Sequence, residues 1–348
     1  MTRAVIYGKA VNRNPGTSRP RRFGLIVPLA AAGALALSAC ASSVSNGTPI
    51  NAPTTITNGT SLPATNTSPS LPAPVAKKHV PVHVSVNIAD GATVGVGMPV
   101  IASFNAKITD GRAFEGATKV SVNGAPVDAR WYFEYSDPAS GHVMEAHLRM
   151  QHYWPAHAQI HIDLPVKNRT GGSVAHHPNS EYVFDDSLTS DFAIGDAHVV
   201  TVSNATHTVT ITDDGRQWGG TFPTSLGAND TPTKRGIKVI MEKGRDISMR
   251  GPGYFDPHIK YTQRLTYDGE YLHSAPWNTY NIDHGINSSN GCTNLHPADA
   301  LKLYNFLGVG DVVQYSDATG PKMQLGDGYG DWNVTWGLWM TGGAISTE

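Results

Sequence analysis

Cysteine is almost absent from this chain of 348 residues, which has only Cys40 and Cys292. At most one bridge can form, so a disulfide framework of the kind that staples small exported domains is excluded. Charge is also sparse, at 16% of residues, and unevenly placed. Residues 1–39 hold six Lys or Arg (Arg3, Lys9, Arg13, Arg19, Arg21 and Arg22) and no acid, so the rest carries 20 basic against 28 acidic groups, a balance of −8. A body that acidic is a poor partner for nucleic acid, whose binding leans on clustered Lys and Arg. The 15 histidines form neither a His-Glu-x-x-His motif nor a Cys/His cluster. His157 and His161 lie four apart in a strand pattern and His176-His177 lies in a polar loop, so no metal site and no other cofactor is expected.

Long apolar runs are missing except near the start. Arg19-Pro20-Arg21-Arg22 precedes an apolar stretch from Phe23 to Ala39, the basic and apolar regions of an export signal. Leu37-Ser38-Ala39-Cys40 resembles the lipobox of bacterial lipoproteins. That resemblance implies cleavage before Cys40, lipid attachment to its sulfur, and an exported protein held by acyl chains at the outer face of the plasma membrane. An uncleaved anchor helix is the competing reading, against which stand the shortness of the run and Pro28. Arg21-Arg22 also allows a twin-arginine signal. Residues 40–77 are dominated after Cys40 by Ser, Thr, Asn, Pro and Ala, too little apolar surface to offset chain entropy, so an extended tether is expected.

Glycine (36) and proline (23) are plentiful, which fits a turn-rich, mainly β protein. Over residues 78–195, Val82 to Ile88 alternates with period two, and Asn123-Gly124 between Lys119-Val120-Ser121-Val122 and Pro126-Val127 is a strong hairpin signal. Trp131 to Tyr135 and Gln159 to Leu164 continue the series, so an Ig-like β-sandwich is predicted there. A second β domain is predicted over 196–316, with His198 to Val202, Val209 to Thr212 and Asp311 to Tyr315 as strands and Asp214-Gly215 as a hairpin turn. Gly244 to Tyr261, rich in Gly, Pro and polar groups, reads as a lid or binding loop. One main helix is predicted after Pro297, with Ala300, Leu301, Leu303, Tyr304 and Leu307 on one face. The tail 317–348, with Trp332, Trp336 and Trp339, is expected to pack on the second domain, an aromatic binding platform being the alternative.

If Cys40 carries lipid, Cys292 has no disulfide partner and is either inert and buried or a reactive thiol. A nearby imidazole makes it a nucleophile by taking its proton, and the ion pair so formed lowers the thiol pKa. His273, in His273-Ser274-Ala275-Pro276-Trp277, is one candidate base, with the Ser274 carbonyl holding its tautomer, and His284 competes with it. Gly291 permits a tight turn, and the N–H groups of Gly291 and Cys292 are candidates for stabilising an oxyanion.

His273 followed by Ser289-Asn290-Gly291-Cys292-Thr293-Asn294 resembles the signature of the L,D-transpeptidases, the YkuD family. Together with Pro223-Thr224-Ser225-Leu226-Gly227, Thr231-Pro232-Thr233 and Gly330-Asp331-Trp332-Asn333, it resembles the subgroup with an N-terminal Ig-like domain, over roughly residues 78–345. The resemblance implies a YkuD-type β-sandwich catalytic domain. In it Cys292 attacks the bond after meso-diaminopimelate in a peptidoglycan tetrapeptide stem, D-Ala leaves, His273 acts as base and then acid, and the thioester passes to a neighbouring stem. It further implies acylation of Cys292 by carbapenems and substrate binding by Tyr254, Asp268, Gly269, Asn290 and Asn294. Two residues depart from the family pattern: Asn290, which cannot titrate, replaces a His, and Thr293 replaces an apolar residue. They motivate the alternative of a wall-binding lipoprotein with weakened chemistry, while an L,D-carboxypeptidase, with water as acceptor, is a variant that the sequence does not separate from the transpeptidase.

Overall fold

The computed structural model describes residues 76–135, 143–251, 254–345 and 347. The expected export signal, Cys40 and nearly all of the tether lie outside the described residues, among which no helix is long and apolar enough to cross a membrane.

The first half is a β-sandwich. One sheet runs Val84–Val86, Val100–Phe104, Met144–Met150, Ala129–Glu134; the other runs Thr93–Val94, Leu188–Ile194, Gln159–Leu164, Lys119–Val122, Ala125–Pro126. Alternate residues of both sheets bury Phe104, Trp131, Phe133, Ile160, Ile162 and Phe192 between them. The Asn123-Gly124 turn forms as expected, with φ of 51° and 81° and Val122 paired to Ala125. Lys78–Val82, His177–Phe184 and Thr170–Val174 form a smaller sheet.

In the second half a nine-stranded sheet runs, edge to edge, Gly236–Val239, Val312–Tyr315, His198–Ser203, Thr208–Asp213, Arg216–Ser225, Thr293–Leu295, Tyr271–Ser274, Tyr254–Arg264, Glu242–Gly251. The predicted helix is Pro297–Phe306. Its Ala300 and Leu303, with Leu307 just beyond, close a core of Val200, Val202, Ile211, Leu272, Leu295 and Val313. A shorter helix, Thr279–Asp283, lies between Trp277 and Cys292.

Two expectations are corrected. The segment 244–261 is no loop but part of a long hairpin, Glu242–Gly251 against Tyr254–Arg264, bulged between Ile247 and Met249. Only Gln263 and Arg264 pair onward to the next strand, so most of the second arm has a free edge, where Pro257 disrupts no central ladder. The tail, in turn, is divided: Asp317, Met323 and Asp327 bond Ser203, Arg235 and Tyr267 of the second domain, but the indoles pack on the sandwich. Trp332, Trp336 and Trp339 surround the Arg149 guanidinium at 4.9, 5.4 and 4.2 Å. Trp339 stacks on Tyr132 and donates from its indole to the Arg130 carbonyl at 2.7 Å. The backbone of Phe133 pairs with Gly342 and Ala344, so the tail covers the edge strand Ala129–Glu134. The tail also holds the second domain through Asn333, which accepts from the Ile237 N–H at 2.9 Å and donates to its carbonyl at 2.6 Å.

Trp339 is fully buried at this seam, so Trp339→Ala should remove about 3–5 kcal/mol of stability. Urea unfolding followed by circular dichroism checks this, and an unchanged midpoint would refute the packing role.

Candidate active site

Strands Tyr271–Ser274 and Thr293–Leu295 run parallel, pairing Leu272 with Thr293, His273 with Asn294 and Ser274 with Leu295. Leu272 and Leu295 point into the core. Strand side chains alternate, so His273 and Asn294 face the opposite side, and Cys292, two before Asn294, shares it. All three line one cleft of about 210 Å³, whose far wall is Met249, Asp256 and Ile259 of the hairpin.

His273 is 4% exposed. Its Nδ1 donates to the Ser274 carbonyl at 2.9 Å, leaving Nε2 as the acceptor, and its ring stacks on Trp277 with centroids 6.0 Å apart. Burial pushes the imidazole pKa below its usual value, partly opposed by the Ser274 hydrogen bond and by Asp256. Cys292 is 8% exposed, with Sγ 3.5 Å from the Gly269 carbonyl. Burial pushes its thiol up to about 12, a Tyr271 backbone hydrogen bond lowers it, and the charge of Glu270 raises it further. The expected thiolate–imidazolium pair is therefore not the resting state. Desolvation disfavours the charged form of each partner, and the site rests as neutral thiol and neutral imidazole.

The loop before the thiol is held from behind. Gly291 has φ of +100°, and a side chain there would meet Glu270 Cγ at 3.3 Å. Ser289 Oγ donates to the Cys292 carbonyl at 2.6 Å, and Thr233 Oγ1 donates to the Gly291 carbonyl at 2.9 Å. Thr233 Oγ1 also accepts from the Gly227 N–H at 2.9 Å. A Cβ on Gly227 would lie 2.2 Å from the Thr231 carbonyl oxygen, so only glycine fits. The Pro-Thr-Ser-Leu-Gly and Thr-Pro-Thr segments thus build the cradle of the Cys292 loop.

Beneath it lies a buried ion pair that sequence reading missed. Lys238, fully buried, donates to Glu270 and sits 3.9 Å over the Tyr315 ring. The Tyr315 hydroxyl meets Thr293 Oγ1 at 2.6 Å, so the hydroxyl that departs from the family pattern is used in the floor and not in the cleft. The signal available was a lone lysine inside the apolar run Gly236-Ile237-Lys238-Val239-Ile240. Asp256 and Asn278 of the cleft were likewise not singled out.

The remaining predicted residues divide between two cavities. Asp268, Gly269 and Gly291 line a second one, of about 240 Å³, with Lys234. Asn290 is exposed and lines both. Asp268 is tied to Lys234 and accepts from Thr266 Oγ1 at 2.6 Å. Asn294 is 4% exposed, and its buried side-chain oxygen has no hydrogen-bond partner. Tyr254 opens the second arm of the hairpin, and its side chain is outside the description. His284 ends the short helix, bonds the Tyr280 carbonyl at 2.8 Å and does not line the cleft.

With its pKa raised, Cys292 should react with iodoacetamide more slowly than a free thiol at pH 8. Peptide mapping should show the rate rising about tenfold per pH unit through pH 10, and a plateau near pH 7 would contradict a neutral resting thiol. Lys238→Met strands the Glu270 carboxylate and should destabilise the chain by about 3–5 kcal/mol in urea unfolding. Adding Glu270→Gln should recover part of the loss; a double variant no better than the single would show that the pair is not coupled.

The catalytic-domain profile of the L,D-transpeptidases, YkuD, matches residues 197–314, and a bacterial Ig domain profile matches residues 72–170. L,D-transpeptidase 2 of Mycobacterium tuberculosis is 31% identical over 73% of this chain, a match spanning 60% of the relative's length. L,D-transpeptidase 1 of the same species is 31% identical over 68% of this chain and 85% of its own. A solved L,D-transpeptidase in complex with imipenem is 30% identical, superposes with a TM-score of 0.52, and is covered over 98% of its chain and 67% of this one.

Proposed function

The chain belongs to the L,D-transpeptidase family, and we propose that it cross-links peptidoglycan through a thioester on Cys292. The observation that carries this reading is that Cys292 shares one cleft with a His273 imidazole whose Nδ1 is committed to Ser274, so that Nε2 is free to accept a proton. The thiol proton passes to Nε2 as sulfur attacks the carbonyl of meso-diaminopimelate in the donor stem. His273 returns that proton to the departing D-Ala amine, leaving a thioester. The side-chain amine of a second stem then attacks, His273 takes its proton, and amide formation returns the proton to sulfur. Moving a proton between two neutral, largely desolvated groups suits a site where neither partner is charged at rest.

The unpartnered Asn294 oxygen supports a role in receiving an N–H of the stem peptide. We assign Asn290, which lines both cavities, and Asp268, beside Gly269 in the second, to the binding of stem peptides. The imipenem complex of the similar structure supports a carbapenem as ligand here, and the acylated group would be the Cys292 thiol. Lipid on Cys40 would hold the enzyme at the outer face of the plasma membrane, within reach of the wall. With water as acceptor the same intermediate gives an L,D-carboxypeptidase.

Intact mass after incubation with imipenem tests the reading. An adduct is expected on the wild type and on His284→Ala, and none on Cys292→Ala. His273→Ala should slow adduct formation at least 100-fold. No adduct on the wild type, or one that survives Cys292→Ala, would sink it.

A further inference from the structure

The seam between the sandwich and the tail holds a second cluster of chemistry-bearing groups. Strands Ala129–Glu134 and Met144–Met150 are antiparallel, and Glu134 lies directly opposite Glu145. His147 is two residues on from Glu145 and so shares its face, while Met144, Ala146 and Leu148 fill the core on the other. Like charges directly opposite each other across a strand pair destabilise it, so a positive charge between them, an imidazolium or a metal ion, stabilises this face. Arg149 does not supply it. Its guanidinium is committed to the Val334 and Met150 carbonyls and to three indoles.

The His147 ring is 1% exposed and points into the carboxylates. Its Nδ1 is held by Asp331 Oδ1 at 2.8 Å. Nε2 lies 3.2 Å from a Glu134 oxygen and 3.7 Å from a Glu145 oxygen, yet makes no hydrogen bond. Ligand atoms at ~2.0–2.1 Å from a tetrahedral zinc are themselves ~3.3–3.4 Å apart, which these separations bracket. An imidazole oriented by a carboxylate on its other nitrogen is the usual support of a zinc ligand.

We propose that His147 Nε2, Glu134 and Glu145 bind a zinc ion at this seam, with Asp331 orienting the imidazole. Glu134, with its side chain 21% exposed, opens the fourth position to a water. A histidine ligates zinc only as the neutral ring, so the ion displaces any proton held on Nε2. The ion would hold Ala129–Glu134 to Met144–Met150 and meet Asp331 only through the His147 ring. Two residues on from Asp331, Asn333 holds Ile237, whose neighbour Lys238 is the floor of the Cys292 loop. The zinc would brace this strand pair of the sandwich, from which the His147–Asp331 bond leads to the active-site floor.

The test uses the chain freed of any purification tag, stripped with chelator, loaded with zinc and dialysed. Elemental analysis should find one zinc per chain, and zinc should raise the unfolding midpoint. His147→Ala should lose the ion. Glu134→Gln, at a partly exposed position, should keep the metal-free midpoint and weaken zinc binding at least tenfold, and Asp331→Asn should weaken it 10–100-fold. No zinc retained by the wild type would overturn the proposal. So would zinc that survives His147→Ala and leaves with His198→Ala, since His198 also lies among carboxylates, Asp196, Asp213 and Asp311.

Discussion

The parallel pairing of Tyr271–Ser274 with Thr293–Leu295 is the constraint on which the rest of this structure depends. It fixes which face each residue presents. Leu272 and Leu295 enter the core, and so His273, Cys292 and Asn294 must face the cleft. A parallel pair needs a crossover, and the segment between the strands supplies both the Trp277 wall and the short helix Thr279–Asp283. A slip of one residue would turn the histidine inward and a leucine outward, so core burial and chemistry enforce the same register.

Two buried charged clusters flank this pairing. Lys238 and Glu270 lie under the Cys292 loop, and His147 with its carboxylates lies at the sandwich seam. Each has a strand residue, Lys238 on Gly236–Val239 and His147 on Met144–Met150, that would otherwise face water. In each, a later segment covers that residue, and the charges must be satisfied internally. The tail does this for the sandwich: Asp331, Trp332 and Trp339 bury the polar side of Met144–Met150, and Asn333 ties the same turn to the strand bearing Lys238. The sandwich is therefore joined to the floor of the active site through the last 20 or so residues of the chain.

Much of this was legible in the sequence, for local reasons. Period-two alternation found the strands, Asn123-Gly124 and Asp214-Gly215 found turns that need positive φ, and the apolar face after Pro297 found the helix. His273, and the Ser274 carbonyl as its partner, followed from the motif around Cys292. What escaped depends on partners far along the chain. His147 meets Asp331 184 residues away, and Lys238 meets Glu270 32 residues away. No local pattern says which polar face another segment will cover, so the seating of the tail's indoles on the sandwich could not be read from the sequence. The hairpin 242–264 was misread because Gly and Pro signal loops everywhere except at a bulged free edge. The thiol was expected to ionise because a neighbouring imidazole was counted and the desolvation of both was not.

The most direct measurement is product analysis by mass spectrometry after incubating the chain with a purified disaccharide–tetrapeptide that ends in meso-diaminopimelate and D-Ala. The account predicts release of D-Ala and a dimer joined between third-position residues, both absent with Cys292→Ala. No release of D-Ala by the wild-type chain, or release undiminished in Cys292→Ala, would contradict it.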